Sequence, residues 1–446
     1  MDARSTARFK LMAQVQKHNI KYIDLQFTDV VGMVKSVTIP ARELDDSLAR
    51  GIWFDGSCIE GYARVAESDM YLVPDPSTFA VLPWLPKDES TARLICNVHT
   101  PDGRLFDGDP RNLLVRTVNE AAAMGLDCKL GPEMEFFLLK PSPAGELIPP
   151  APHDSAGYFD APSDSVSGLR RQITSTLADL GIGVEAMHHE IAAGQHEIDF
   201  LESDALTTAD NMITFRLSLK VVARMNGLYG TFMPKPFQGL SGSGMHVHQS
   251  MTFAATGKDA FSDPGDQHGL SDIAKHFIAG QLSHAKGMCA ILAPLVNSYK
   301  RLIPGYEAPV HISWARINRA ALIRVPRAAE TDITRVELRC PDPSCNPYLA
   351  FSAMLAAGLD GIRRKLPPLP ATEENPYLSD QPIPGGSDML PSSLGAAIAA
   401  LEEDDVIQAA LGPLVCHRFI EAKRLEYEES HKEVTPWELS KYLPNY

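Results

Sequence analysis

Two glutamates stand two residues apart in GPEMEFFLLK, residues 131–140: Glu133 and Glu135. A strand sends residues i and i+2 to the same face, so both carboxylates point one way while Met134 and Phe136 pack on the other. Like charges held that close repel, and a hard divalent cation between them is the simplest relief. Taken alone, the pair reads equally well as a solvated strand edge. Three later stretches repeat the pattern. In QHEIDF (195–200), Glu197 and Asp199 oppose His196, Ile198 and Phe200. In SGMHVHQS (243–250), His246, His248 and Ser250 oppose Met245, Val247 and Gln249. In RVELRC (335–340), Arg335, Glu337 and Arg339 oppose Val336, Leu338 and Cys340. Each strand has a largely apolar back and an ionisable front, where a half-buried antiparallel sheet normally fronts on water with mixed polar residues.

The candidate ligands are Glu133, Glu135, Glu190, Glu197, Glu337 and His246. Five carboxylates and one imidazole are too many for a single zinc, which takes four ligands richer in nitrogen or sulfur. They suit two or more Mg²⁺ or Mn²⁺ ions. A lone Glu on a strand is usually just solvated, so the argument rests on repetition. A cationic set complements it in NSYKRLIPGYEAP (297–309) and ARINRAALIRVP (315–326). Arg301, Arg319, Arg324, Arg335 and Arg339 are candidates to hold carboxylate and phosphate oxygens, although any one of them alone could be a surface ion pair of little weight. Carboxylates, divalent metals and arginines together are the parts of a phosphoryl-transfer site. Neither a G-x-x-x-x-G-K-[ST] loop nor a kinase set is present, so the nucleotide is expected on a different fold.

The elements that must position these residues follow from periodicity and punctuation. A chain of 446 residues with 44% hydrophobic and 22% charged content can bury a large core in two or three domains. Residues 6–18 read as a helix, 22–27 and 33–39 as strands, 42–50 as a helix. Residues 54–69, FDGSCIEGYARVAESD, read as an exposed acidic loop, followed by strands at 70–73, 80–84 and 92–98. Asp109-Pro110 caps a helix running to Gly125. Further helices are expected at 167–180, 209–226, 271–289, 348–363, 394–402 and 414–430, with a Pro- and Gly-rich surface excursion at 365–391. The net charge of −15 argues against nucleic acid or anionic membrane as partner. No window of about 18 apolar residues and no signal peptide is evident. Seven scattered cysteines without a C-x-x-C pair suit free thiols in a reducing cytoplasm.

At this point the sequence resembles a class I glutamine synthetase. The stretches FDGSCIEGYARVAESDMYLVPD, GPEMEFFLL, HHEIAAGQHEIDF, MPKPFQGLSGSGMHVHQS, NSYKRLIPGYEAP, NRAALIRVP and RVELRCPDPSCNPYLAF occur in the family's order over roughly 20–363. The length fits the shorter subtype, which is not adenylylated. The resemblance implies an α+β fold: an N-terminal β-grasp domain, set here at 1–105, and a catalytic domain at 106–446 built on a curved antiparallel sheet with flanking helices. It also implies a homo-oligomer, a dodecamer of two stacked hexameric rings, in which the acidic loop of one subunit completes its neighbour's site. By resemblance, Glu135, Glu190 and Glu197 hold one metal, and Glu133, His246 and Glu337 hold the second. Glu185, His248, Ser250, Arg319, Arg324 and Arg335 contact ATP. Ser241, Gly242, Arg301, Glu307, Arg319 and Arg339 surround glutamate and the transferred phosphate. Asp55 and Glu307 form the ammonium pocket, with Arg319 beside the reacting groups, and Arg64 matches a position tied to glutamine feedback.

The implied reaction is ATP-dependent ligation of ammonia to L-glutamate through γ-glutamyl phosphate. One departure stands out: the family usually reads N-G-S-G-M-H, whereas this chain has Ser241 in place of the Asn. That leaves two other readings beside glutamine synthetase. One is a relative that joins glutamate to an organic amine such as a polyamine; the other is a non-catalytic scaffold or partner of a nitrogen regulator. Retention of Asp55, Glu307 and all six metal positions favours the first reading.

Overall fold

The computed structural model describes residues 3–59, 69–148, 150–160, 166–304, 308–327, 333–373 and 388–446. Arg64 and Glu307 lie outside them. Two sheets organise the chain. The first joins β1 (Tyr22–Thr28), β2 (Val34–Pro40), β3 (Ile52–Asp55), β4 (Asp69–Pro74), β5 (Ala80–Val81) and β6 (Thr91–His99) in the order β2-β1-β6-β4-β3, with β5 paired to β6. Alternate residues of β1 (Ile23, Leu25, Phe27) and β6 (Ala92, Leu94, Cys96, Val98) are buried together against the helix Ala3–Lys17. β3 overlaps the start of the stretch expected to be loop, at Phe54 and Asp55. Its acids and glycine masked a short strand that pairs with β4, Asp55 opposite Asp69.

The second sheet contains β7 (Leu126–Leu139), β8 (Val184–His189), β9 (Gln195–Phe200), β10 (Ser203–Asp204), β11 (Tyr229–Thr231), β12 (Met245–Phe253), β13 (His311–Ala315), β14 (Ala321–Arg324) and β15 (Val336–Leu338). Its order is β13-β14-β15-β12-β7-β9-β8, with β10 and β11 also on β7. All of these pairings are antiparallel except β13 with β14. β7 starts five residues before the expected strand because Leu126, Cys128 and Leu130 already alternate into the core. Met134, Phe136, Ile198, Phe200, Met245 and Val247 form the apolar back, on which the helix Ala205–Met225 lays Met212, Phe215 and Leu219. Burying such a face is the main source of stability, about 25 cal/mol per Å² of apolar surface.

The expected helix 271–289 is two helices, Asp272–Ser283 and Ala285–Leu292. The break falls at His284, whose ring is clamped between Asp404 (2.9 Å) and Asp360 (3.1 Å). The two sheets are joined by a buried ion network. Arg111, at the start of the helix Pro110–Ala123, bonds Asp210 through two nitrogens (3.0 and 2.9 Å) and Asp75 (2.9 Å). The Tyr348 hydroxyl donates to the same Asp210 at 2.6 Å. The six cysteines whose side chains are described are free and buried, and no helix among the described residues is long and apolar enough to cross a membrane.

Candidate active site

Strand register places the ionisable fronts side by side. Glu133 lies opposite His246 on one flank and Asp199 on the other, and Glu135 opposite Glu197. His248 lies opposite Glu337, Glu337 opposite Arg324, and Glu197 opposite His188. One continuous row therefore crosses five neighbouring strands from β14 to β9 and ends on β8. A one-residue slip in any pairing would turn that strand's carboxylates into the core, and the buried Met134, Phe136 and Ile198 hold the register.

The row divides into two groups. In the first, His246 Nδ1 is 3.2 Å from Glu133 Oε2 and 3.7 Å from Glu337 Oε1, while His248 Nε2 is 2.7 Å from Glu133 Oε1. Arg339 and Arg324 each donate to Glu337 at 2.5 Å. Burial alone would push Glu133 up, but the hydrogen bonds of His246 and His248 outweigh it and hold the carboxyl well below its ordinary value. Burial of Glu337 is likewise outweighed by Arg339 and His246. In the second group, His188 Nδ1 lies 3.5 Å from Glu190 Oε1 and His188 Nε2 lies 3.7 Å from Glu197 Oε1. Here burial and mutual repulsion outweigh the charges of Arg301 and Arg339 at Glu135. Burial, reinforced by Glu190, pushes Glu135 up to about 8. Burial together with Glu135 and Glu133 pushes Glu197 up to about 12. Asp199 rises to about 6, chiefly by burial, and its Oδ1 is buried with no hydrogen-bond partner among the described residues. Oxygen-rich, mutually repelling and aimed at one face, this donor set fits hard divalent cations.

Beside both groups is a cavity of about 60 Å³ lined by Glu135, Glu190, Ser241, Gly242, Arg301 and Arg339, among others. Its wall is close-packed: a Cβ on Gly242 would sit 2.4 Å from the Pro234 carbonyl, and one on Gly244 2.6 Å from Arg301 Nη2. Arg301 is buried and donates to the carbonyls of Cys340 (2.9 Å), Pro341 (3.2 Å) and Arg339 (3.0 Å). Its outward donors are thus few, but its charge faces Glu135.

The remaining sequence candidates are spread around this centre. Arg319 is exposed, reaches Tyr158 by a side-chain hydrogen bond and stands near Glu190. Glu185 is exposed on β8 and Arg335 half-buried before β15. Ser250 is buried two residues beyond His248 on β12, its hydroxyl donating to Glu202 at 2.9 Å. Asp55 ends β3 on the first sheet, is exposed, and caps the following turn by accepting from Ser57 N at 2.8 Å. Reasoning from residues missed four neighbours of the site. His188 sits with Glu190 and Glu197, Gln195 Nε2 donates to Glu135 at 2.7 Å, Asp199 continues the row, and Tyr158 borders it. The period-2 reading of QHEIDF already placed Glu197 and Asp199 on one face, and the same alternation extends to Gln195. Tyr158 lies in an irregular loop that no periodicity marks.

Residues 19–101 match the family model described as the glutamine synthetase β-grasp domain, and 107–442 that of the glutamine synthetase catalytic domain. The chain is 49% identical over 440 residues to a glutamine synthetase of Halobacterium salinarum, covering 98% of this chain and 96% of that one. It is 48% identical over 444 residues to one of Thermus thermophilus, covering 98% and 99%. Among solved structures, one described as a GmaS/ADP complex superposes with a TM-score of 0.87 at 34% identity, covering 97% of this chain and 99% of that one. A GmaS without ligand gives 0.85 at 35% identity, covering 96% and 98%.

Proposed function

The chain belongs to the glutamine synthetase family and is a glutamate–ammonia ligase that forms L-glutamine with ATP, and we propose that the row from Arg324 to Glu197 carries this reaction. The observation that supports it best is the register: five candidate metal ligands from β7, β9, β12 and β15 share one face, and Glu190, in the turn after β8, groups with Glu197. Glu135, Glu190 and Glu197 hold one divalent ion; Glu133, His246 and Glu337 hold the other, with His248 against Glu133. Mg²⁺ and Mn²⁺ both suit these ligands. When bound, the ions neutralise carboxylates and phosphate oxygens and so favour in-line phosphoryl transfer.

The protein's own groups do the rest. Glutamate sits in the cavity beside Ser241 and Gly242, with Arg301 and Arg339 offering positive charge to its carboxylates and to the transferred phosphate. ATP lies along Glu185, His248, Ser250, Arg319, Arg324 and Arg335. An oxygen of the glutamate side chain attacks the γ-phosphorus, the bond to ADP breaks, and γ-glutamyl phosphate forms. Arg319, Arg324 and Arg339 offset charge on the phosphoryl oxygens. Asp55 and Glu307 bind ammonium and take a proton from it. Ammonia then attacks the carbonyl carbon of the γ-carboxyl group, the C–O bond to phosphate breaks, and a second proton leaves the nitrogen. Exposure of Asp55, on a sheet apart from the row, suits completion of the site by a neighbouring subunit. We therefore read the assembly as a dodecamer of two hexameric rings, with the domain boundary near residue 105 and a cytoplasmic location. Arg64 serves glutamine feedback, and a nitrogen-regulatory partner would read that state.

The two relatives at 48–49% identity are glutamine synthetases, whereas the GmaS structures are 34–35% identical, which favours ammonium over an organic amine as acceptor. Phosphate release from ATP with Mg²⁺ and glutamate, comparing ammonium with a panel of amines, tests the reading. Strong ammonium-dependent release with glutamine as product supports it. Release only with an organic amine contradicts it.

A further inference from the structure

Behind β8 and β9, under the turn that carries Glu190, a second set of ionisable groups is packed: His153, Asp154, His189, His196 and Arg170. The first four offer ligand atoms within 4.8 Å of one another, so a transition-metal site is the first possibility to weigh. Protons decide against it. An arginine can only donate, and Arg170 Nη1 lies 2.9 Å from His196 Nδ1. His196 Nδ1 is therefore an acceptor, and the hydrogen of the neutral ring is on Nε2. That Nε2 stands 2.8 Å from His153 Nε2 and donates to it. The lone pairs that a metal needs on His196 and His153 are already engaged, leaving His189 and Asp154.

These two grip a turn. β8 ends at His189 and β9 begins at Gln195. His189 Nδ1 lies 2.7 Å from the Glu190 carbonyl and its Nε2 lies 3.2 Å from Asp154 Oδ1; both partners are acceptors, so the ring bonds to both at once when each nitrogen carries hydrogen. The same Asp154 oxygen accepts from the Gly194 N–H at 2.9 Å. One carboxylate with 5% side-chain exposure thus holds both ends of the turn 190–194 from below. Gly194 has φ +72°, and a Cβ there would come within 3.0 Å of Leu138 O and of Pro152 Cβ. The turn and the segment bearing Asp154 are pressed together with no slack.

We infer that Asp154 is a positioning residue for metal binding: through His189 and Gly194 it fixes the turn that carries Glu190, and so keeps the Glu190 carboxylate beside Glu197. The inference rests on Glu190 being a ligand of the first metal. Hydrogen bonds that orient metal ligands are worth about 10- to 100-fold in affinity.

The test is Mn²⁺ binding to the full-length protein, followed by the paramagnetic resonance signal of the free ion. The parent is compared with Glu190→Ala, Asp154→Ala and Asp154→Asn. Glu190→Ala is expected to remove one class of Mn²⁺ site; if it removes none, the ligand assignment fails and the inference with it. Asp154→Ala is expected to weaken that same class by about 10-fold or more and leave the other class unchanged. Asp154→Asn keeps an oxygen for the Gly194 N–H and should retain most of the affinity. If Asp154→Ala does not fold, His189→Gln breaks the other link to the turn and is expected to weaken the same class. Two results overturn the inference. One is a folded Asp154→Ala or His189→Gln protein with both classes at parent affinity while Glu190→Ala loses one. The other is an equivalent of zinc that survives chelation in the parent and is lost in His153→Asn.

Discussion

Replacing Glu337 by glutamine strikes the most tightly built part of the row. Glu337 is 0% exposed, and each of its oxygens accepts a 2.5 Å hydrogen bond from a different arginine, Arg339 and Arg324. Glutamine keeps one acceptor oxygen and sets an NH₂ against the other guanidinium. A buried charge that loses its partner costs about 3–5 kcal/mol. Arg324 is 23% exposed and water can take over part of its solvation, so about 1.5–3 kcal/mol is the working figure, the range of a hydrogen bond to a charged group. The same change removes a carboxylate from the second metal. A loss of at least about 100-fold in turnover is expected, equivalent to about 2.7 kcal/mol of barrier at 1.36 kcal/mol per tenfold. Two assays separate these effects: urea unfolding for stability, and phosphate release at saturating glutamate and ammonium, under conditions where the variant is still folded. Turnover within threefold of the parent, with an unchanged unfolding midpoint, would refute both the metal assignment and the ion-pair reasoning.

Three further outcomes are expected. Glu135, raised by burial and then by Glu190 to about 8, holds a proton between about pH 4.5 and 8 that an unfolded chain has already released. Metal-free stability should therefore fall as pH rises through that window. Because a bound cation displaces the proton, the Mn²⁺-induced rise in Tm should be larger at pH 8 than at pH 6; an equal rise at both would contradict the assignment. Ser241→Asn should lower the KM for glutamate without raising kcat, because the longer amide reaches further into the small cavity shared with Arg301 and Arg339; an unchanged or higher KM would remove Ser241 from the substrate's surroundings. Mixed oligomers reassembled from Asp55→Asn and Glu337→Gln subunits, each inactive alone, should regain part of the activity if Asp55 serves a neighbour's row, and no recovery would place Asp55 in its own subunit's site.

The site was more legible in the sequence than the fold around it. Period-2 alternation in four short runs marked β7, β9, β12 and β15, because a sheet with an apolar back and an ionisable front leaves that signature in residue order. The same reading could not find β3, where IWFD leads into glycine and acids, nor β13 and β14. In ARINRAALIRVP the arginines drew attention from the buried Leu322 and Ile323. The helix break at His284 depends on Asp360 and Asp404, which are 76 and 120 residues away. No local propensity encodes such a clamp. The neighbours of each front residue also depend on tertiary register: alternation put His246 and His248 on one face, but only the pairing of β12 with β7 and β15 sets His248 on Glu133 and opposite Glu337. The Asp154 clamp joins residues separated by 35 and 40 positions and left no mark in the residue pattern.

The measurement that bears most directly on the central claim is a crystal structure with Mn²⁺ and a non-hydrolysable ATP analogue, with the ions located by anomalous scattering. Two peaks per chain are expected, one bounded by Glu135, Glu190 and Glu197, the other by Glu133, His246 and Glu337, both on the front of the second sheet. A single peak, or ions bound away from this row, would contradict the account.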